Sequence, residues 1–213
     1  MSFSTDPTAK DWNFSSICDE RGFFIMPNTI KYIREAILKQ GIAEKITNQF
    51  DFPETNQPED IIYLIDQMDK LLSQEQRLSI MEKQGCCTTG KPAEAHRSFG
   101  RKHSDKSIGE RIKFLHELDS VHNPPCRLND DGTLSVFWEN GQEGNYKCVC
   151  GYINKLKNPS QAVSPTFCGC CGGHARKNLQ RSLGVKLKLK EIVSSHISTG
   201  GKKRCEFLYE VLP

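Results

Sequence analysis

The segment "CGCCGGHARKNLQRSLG" (168–184) runs directly into "VKLKLKEIVSSHISTGGKKRCEFLYEV" (185–211), and the hydrophobic period changes at the join. In the first part Ala175, Leu179 and Leu183 recur every four residues, which reads as a helix from about Cys170 to Leu183 with Gly184 as its C-terminal stop. In the second part Val185, Leu187, Leu189 and Val193 alternate with Lys186, Lys188 and Lys190, the pattern of a half-buried strand. "STGGKK" turns the chain back into "RCEFLYEV", where Cys205, Phe207, Tyr209 and Val211 share one face and Glu206 and Glu210 the other. This is an α-β-β unit with an antiparallel hairpin.

Upstream, "TLSVFWE" alternates with Leu134, Val136 and Trp138 on one side after the turn pair Asp131-Gly132, and "NYKCVCGY" follows the loop "NGQEG" as a second strand. The first half is helical in pattern. Asn28 caps "TIKYIREAILKQG", Pro58 opens a long stripe of Ile61, Leu64, Ile65, Met68, Leu71 and Leu72 that closes by Gly85, and Ser107 with Glu110 forms a capping box. The expected fold class is therefore α+β, a helical N-terminal half followed by β-β-α-β-β with a four-stranded antiparallel sheet. The chain reads as a single unit over 1–213, with 1–125 mainly helical and 126–213 carrying the sheet, the last helix and the cysteine cluster.

Composition narrows the function. A net charge of +3 gives no basis for nucleic-acid binding, and no apolar run approaches the length of about 20 residues that a membrane helix needs. The polar N-terminus has no secretory pattern, so the expected location is cytoplasmic. There, ten cysteines are more than packing requires, and clustered thiols in a reducing compartment point to metal ligation or redox work.

The candidate metal ligands are Cys168, Cys170 and Cys171 at the helix start, His174 one turn on, Cys148 and Cys150 on the strand before, and Glu191 and Cys205 on the closing hairpin. Thiols at a helix N-terminus have their thiolate form favoured, which helps both ligation and reactivity. Glu191 falls in phase with the apolar side of its strand, where a carboxylate needs a partner or a metal. The Cys148/Cys150 pair can clamp one ion only if its strand bends, because alternate side chains of a regular strand stand about 6.5–7 Å apart. Cys18 and Cys126 read as small hydrophobes, and the pairs Cys86-Cys87 and His96/His103 near helix ends are either structural or join the site across space. The glycines at 169, 172 and 173 allow either a close backbone approach or, less well supported, a phosphate cradle.

The block from Cys168 to Phe207 resembles the vinyl-4-reductase ligand-binding domain of the NO-signalling and Golgi-transport fold, and related sequences described as aminothiazoline-carboxylate hydrolases. In that pattern a cysteine at the helix start is followed 23 positions later by a glutamate, as Cys168 is by Glu191, with a closing Cys-x-Phe matched by Cys205 and Phe207. Ser194 stands where the pattern has another cysteine. From "CCTTGKPAEAHR" onward the chain is also similar to an uncharacterised family of bacterial and archaeal proteins. The resemblance implies a zinc at the matching positions, beside a pocket for a small apolar or heterocyclic ligand.

The function expected from all this is a cytosolic small-molecule-binding protein with a cysteine-rich metal site, zinc being favoured. The alternatives are a thiol- or zinc-dependent hydrolase of a small heterocycle, and an iron–sulfur or thiol redox protein. The expected partners exclude nucleic acid and membrane, and a homodimer is compatible with them.

Overall fold

The computed structural model describes residues 29–85, 90–117, 124–148, 150, 152–157 and 162–213. The proposed cap Asn28 and the cysteines Cys18, Cys86 and Cys87 lie outside the described residues. Helices α1 (Thr29–Lys39), α2 (Glu44–Thr47), α3 (Pro58–Leu71), α4 (Gln74–Met81), α5 (Gly90–Lys102) and α6 (Ile108–His116) precede the sheet. Strands β1 (Cys126–Leu128) and β2 (Leu134–Trp138) come next. They are followed by the short ribbon β3 (Gly141–Gln142) and β4 (Asn145–Tyr146), then α7 (Gly169–Leu183), β5 (Lys186–Ser194) and β6 (Cys205–Leu212). None of the described helices is long and apolar enough to cross a membrane.

The long helical stripe is cut in two. Ser73 starts a new helix by accepting a bond from the Gln76 amide at 3.3 Å, and the Gln76 side chain returns to the Ser73 amide at 3.0 Å. The same reciprocal cap forms at Ser107 and Glu110, as the sequence pattern requires. Helix α5 has no counterpart among the expected elements; it crosses α7 where Gly100 lies against the Arg181 carbonyl.

The sheet is antiparallel in the order β1-β2-β6-β5. Its outer strand is not the expected "NYKCVCGY". Among its described residues that segment forms only the two-residue arm of the β3–β4 ribbon, and its place beside β2 is taken by Cys126–Leu128. The Cys126 amide donates to Nε2 of His116 at 3.1 Å, which anchors β1 to the end of α6.

Two cores result. One is built on Ile33, Ile37, Ile61, Leu64, Ile65 and Met68 in the N-terminal helices; the other packs Leu134, Val136, Leu187, Leu189, Phe207 and Tyr209 of the sheet under Ala175, Leu179 and Leu183. Complete burial of such side chains contributes about 1.5–3 kcal/mol each. Helix α7 stands between the cores, with Cys170 in the first and Cys168 in the second. The start of α7 is where the site is found.

Candidate thiol-lined metal site

The glycines of "CGCCGGH" let other elements press against α7. A Cβ on Gly169 would come 2.6 Å from that of Met81, one on Gly172 2.9 Å from Leu189, and one on Gly173 would overlap the Glu82 carbonyl. Across the contact, a Cβ on Gly85 would stand 2.6 Å from the Gly173 backbone. The glycines are thus packing residues, not a phosphate cradle. Two further ties hold this end of the helix. Glu82 reaches past it to Arg176 at 3.2 Å and the Leu189 amide at 3.2 Å, and Tyr209 donates its hydroxyl to the Gly172 carbonyl at 2.7 Å. Burial pushes the Glu82 carboxyl up, against the neighbouring Arg176 guanidinium.

With its glycine face taken, α7 turns Cys168 and Cys171 elsewhere. These two have the C-x2-C spacing, three residues apart on consecutive turns, and both line a cavity of about 30 Å³ beside the sheet. Cys205 enters from β6 and Cys148 from the segment after β4, with Trp138 and Phe207 closing the walls. His196 enters from the β5–β6 turn.

How Cys148 arrives is legible in the backbone. The Tyr146 amide donates to the Gly201 carbonyl at 2.8 Å and the Gly201 amide to the His196 carbonyl at 2.9 Å, so the ribbon docks on the hairpin turn. Gly201 has φ of 81°, and a Cβ there would meet the Tyr146 carbonyl oxygen at 2.8 Å, so only glycine fits. The Tyr146 ring stacks on His196, centroids 5.6 Å apart. Beyond it the chain leaves strand geometry: the Cys150 amide donates to Sγ of Cys148 at 3.4 Å, and the bend frees Cys148 to face the cavity. The spacing that argued against this pair in a regular strand therefore does not apply.

The cavity is a neutral, apolar place for thiols. Burial pushes Cys148 and Cys205 up to about 11 and Cys150 to about 12, and also raises Cys168 well above the ordinary thiol value. After burial, the neighbouring thiols raise Cys168, with Cys171, Cys205 and Cys148 all acting on it. Sγ of Cys205 lies 3.4 Å from Nδ1 of His196. His196 is 4% exposed, burial pushes it below the ordinary imidazole value, and its Nε2 has no partner among the described residues.

Four expected ligands stand outside the cavity. Glu191 is exposed. The β5–β6 pairing runs in step as far as Leu189 opposite Tyr209, then slips by one residue so that Glu191 faces Leu208 and Ile192 faces Phe207. The bulge at Lys190 reverses the alternation: Ile192 packs inward, while Glu191 and Val193 point out. Cys170 packs in the helical core. His174 is buried but engaged elsewhere, with Nε2 3.1 Å from Asn178 Nδ2 and its ring edge-on to Trp138 at 5.5 Å. Cys150 does not line the cavity either and packs against the helical core.

The residue missed from sequence is His196. Its signal was its place in the turn that leads to Cys205, on a hairpin whose inner face was already assigned.

Among the described residues no three Cys, His, Asp or Glu side chains stand close enough together to form a ready-made metal-holding group. The donor chemistry nonetheless fits one soft divalent ion. Four thiols and a buried imidazole line a space of about one water. Protonated thiols have no reason to contract on a point; an ion that displaced their protons would draw the sulfurs to about 2.3 Å from itself.

Compared with known proteins, the chain matches no family model, no curated protein and no solved structure. The resemblance to the vinyl-4-reductase domain rests on its residues alone, and of the positions that carry it Cys168 and Cys205 reach the cavity while Glu191 does not.

Proposed function

We propose that this chain is a cytoplasmic zinc-binding protein in which Cys148, Cys168, Cys171 and Cys205 hold one ion with His196 at its edge. The observation that carries this reading is that four thiols from three separate elements line one ion-sized cavity. Four protein donors make a closed site, the hallmark of a structural zinc rather than a catalytic one. Such an ion would fasten the segment after β4 to the β5–β6 hairpin and to the start of α7.

The competing readings fit less well. A space of about 30 Å³ takes an ion, whereas ligand pockets run to about 300–1,000 Å³, so the expected small apolar or heterocyclic ligand does not bind in this cavity. An iron–sulfur cluster needs room for several metal and sulfide atoms. A thiol-dependent hydrolase needs an ionised nucleophile, and burial holds these thiols protonated at neutral pH.

The test separates Cys168 from its neighbour. Protein purified without chelator or histidine tag should carry about one zinc per chain, as expected for a closed site. Cys168→Ser should lose most of it and Cys170→Ser should keep it. Equal loss in both variants, or none in either, would refute the assignment.

A further inference from the structure

Four thiols and the His196 imidazole, five donors in all, line a cavity whose ion would take only four. Glu139 also lines it but is exposed and paired with Arg204. Sγ of Cys205 lies 3.4 Å from Nδ1 of His196. Sulfur at about 2.3 Å and nitrogen at about 2.0–2.1 Å from one tetrahedral ion stand about 3.5 Å apart, so this pair already has the spacing of two ligands of one metal. Both come from one hairpin, whose turn is fixed by the Thr199 amide donating to the Ser195 carbonyl at 3.2 Å and the Gly201 amide to the His196 carbonyl at 2.9 Å. Cys168 and Cys171 are fixed at the start of α7. Cys148 is anchored least, on the segment that follows a two-residue ribbon, and its sulfur has a second partner in the Cys150 amide at 3.4 Å.

We propose that Nδ1 of His196 is the alternative fourth ligand, taking the place of Cys148, so that the site passes between a four-sulfur and a three-sulfur, one-nitrogen shell without losing its ion. The inference rests on the zinc-site reading. Its driving force is charge. Four thiolates on a divalent ion leave two excess negative charges, whereas three thiolates and a neutral imidazole leave one. The apolar walls of Trp138 and Phe207 make each excess charge costly. In the exchange the metal–nitrogen bond forms, the bond to Cys148 breaks, and the freed thiolate takes a proton from solvent. No such substitute stands beside Cys168, which is why its loss empties the site.

The experiment compares Cys148→Ala, His196→Gln and the double variant of the full chain, all purified without chelator or histidine tag, by zinc content, thermal melts and zinc K-edge absorption. Cys148→Ala should keep about one zinc per chain, in a shell of three sulfurs and one nitrogen. His196→Gln should keep its zinc but hold it about 10–100-fold more weakly against a chromogenic chelator, the range for partners beside a metal's ligands. The double variant should lose the ion. A Cys148→Ala protein that melts cooperatively yet loses zinc as fully as Cys168→Ser would overturn the proposal and leave the zinc reading intact. Three sulfurs with an oxygen would do the same, making His196 only a hydrogen-bond partner of Cys205. So would unchanged zinc affinity in His196→Gln, the arm that still decides if Cys148→Ala does not fold. Absence of metal from the parent protein would refute the zinc reading and this inference with it.

Discussion

Replacing Gly173 by alanine asks whether the close approach at the start of α7 is real. Two terms oppose each other. Alanine in a helix interior is favoured over glycine by about 1 kcal/mol. Against this, the new methyl would overlap the Glu82 carbonyl and lie 2.6 Å from its carbonyl carbon. Both atoms are backbone, in a 3-10 turn (Glu82–Gln84) whose preceding helix is packed on α1 and α3, so relief requires moving α7 or the turn. Overpacking of this kind costs about 1–3 kcal/mol, and the rigid neighbours place it at the upper end. The net expectation is a loss of about 2 kcal/mol, or about 4–8 °C in Tm for a chain of this length. The internal control is Gly109 in α6, where nothing lies within 4 Å of an added methyl. There the same substitution should stabilise, by up to about 1 kcal/mol. Urea denaturation of the two variants beside the parent protein reads both signs. A neutral or stabilising Gly173→Ala would refute the packing role of the glycines and with it the orientation given to Cys168 and Cys171.

Glu191→Gln should be silent, within about 0.5 kcal/mol in denaturant melts and with unchanged zinc content, because the bulge turns this side chain to solvent. A loss of zinc would instead restore it as a ligand. The pH dependence of stability should differ between the chelated and loaded protein. Burial raises Cys148 and Cys205 from 9.0 to about 11, so the unfolded chain ionises first as pH rises. The chelated protein should therefore be most secure below pH 9 and lose stability progressively towards pH 11. Zinc-loaded protein, its ligands already thiolates, should show a flatter melting temperature across that window. Parallel curves for the two forms would count against these thiols as the ligands.

Helices and the closing hairpin were readable because each is long enough to display its period and carries its own stop signals, such as Ser107 with Glu110 and Gly184 in the left-handed conformation. Strand β1 was not, since three residues show no alternation and its pairing depends on β2 and His116. On β2 the alternation is real in sequence but not in burial: Ser135 and Phe137 are covered as well as Leu134 and Val136. The bulge at Lys190 has no local mark, as a polar residue beside a polar residue hides a change of phase. That single slip moved Glu191 out of the site. Within "CGCC" the cluster could be found but not sorted, because the rotation of α7 is set by Met81, Glu82 and Gly85, far away in sequence. His196 likewise depended on where the β3–β4 ribbon docks.

The zinc reading of the cavity depends on a metal with sulfur around it. Zinc K-edge absorption spectroscopy on the full chain, purified without chelator or histidine tag, measures that shell directly. The expected spectrum has a first shell dominated by sulfur at about 2.3 Å, with at most one nitrogen at about 2.0–2.1 Å. A protein without metal, or a shell of oxygen and nitrogen alone, would contradict the thiol-held ion.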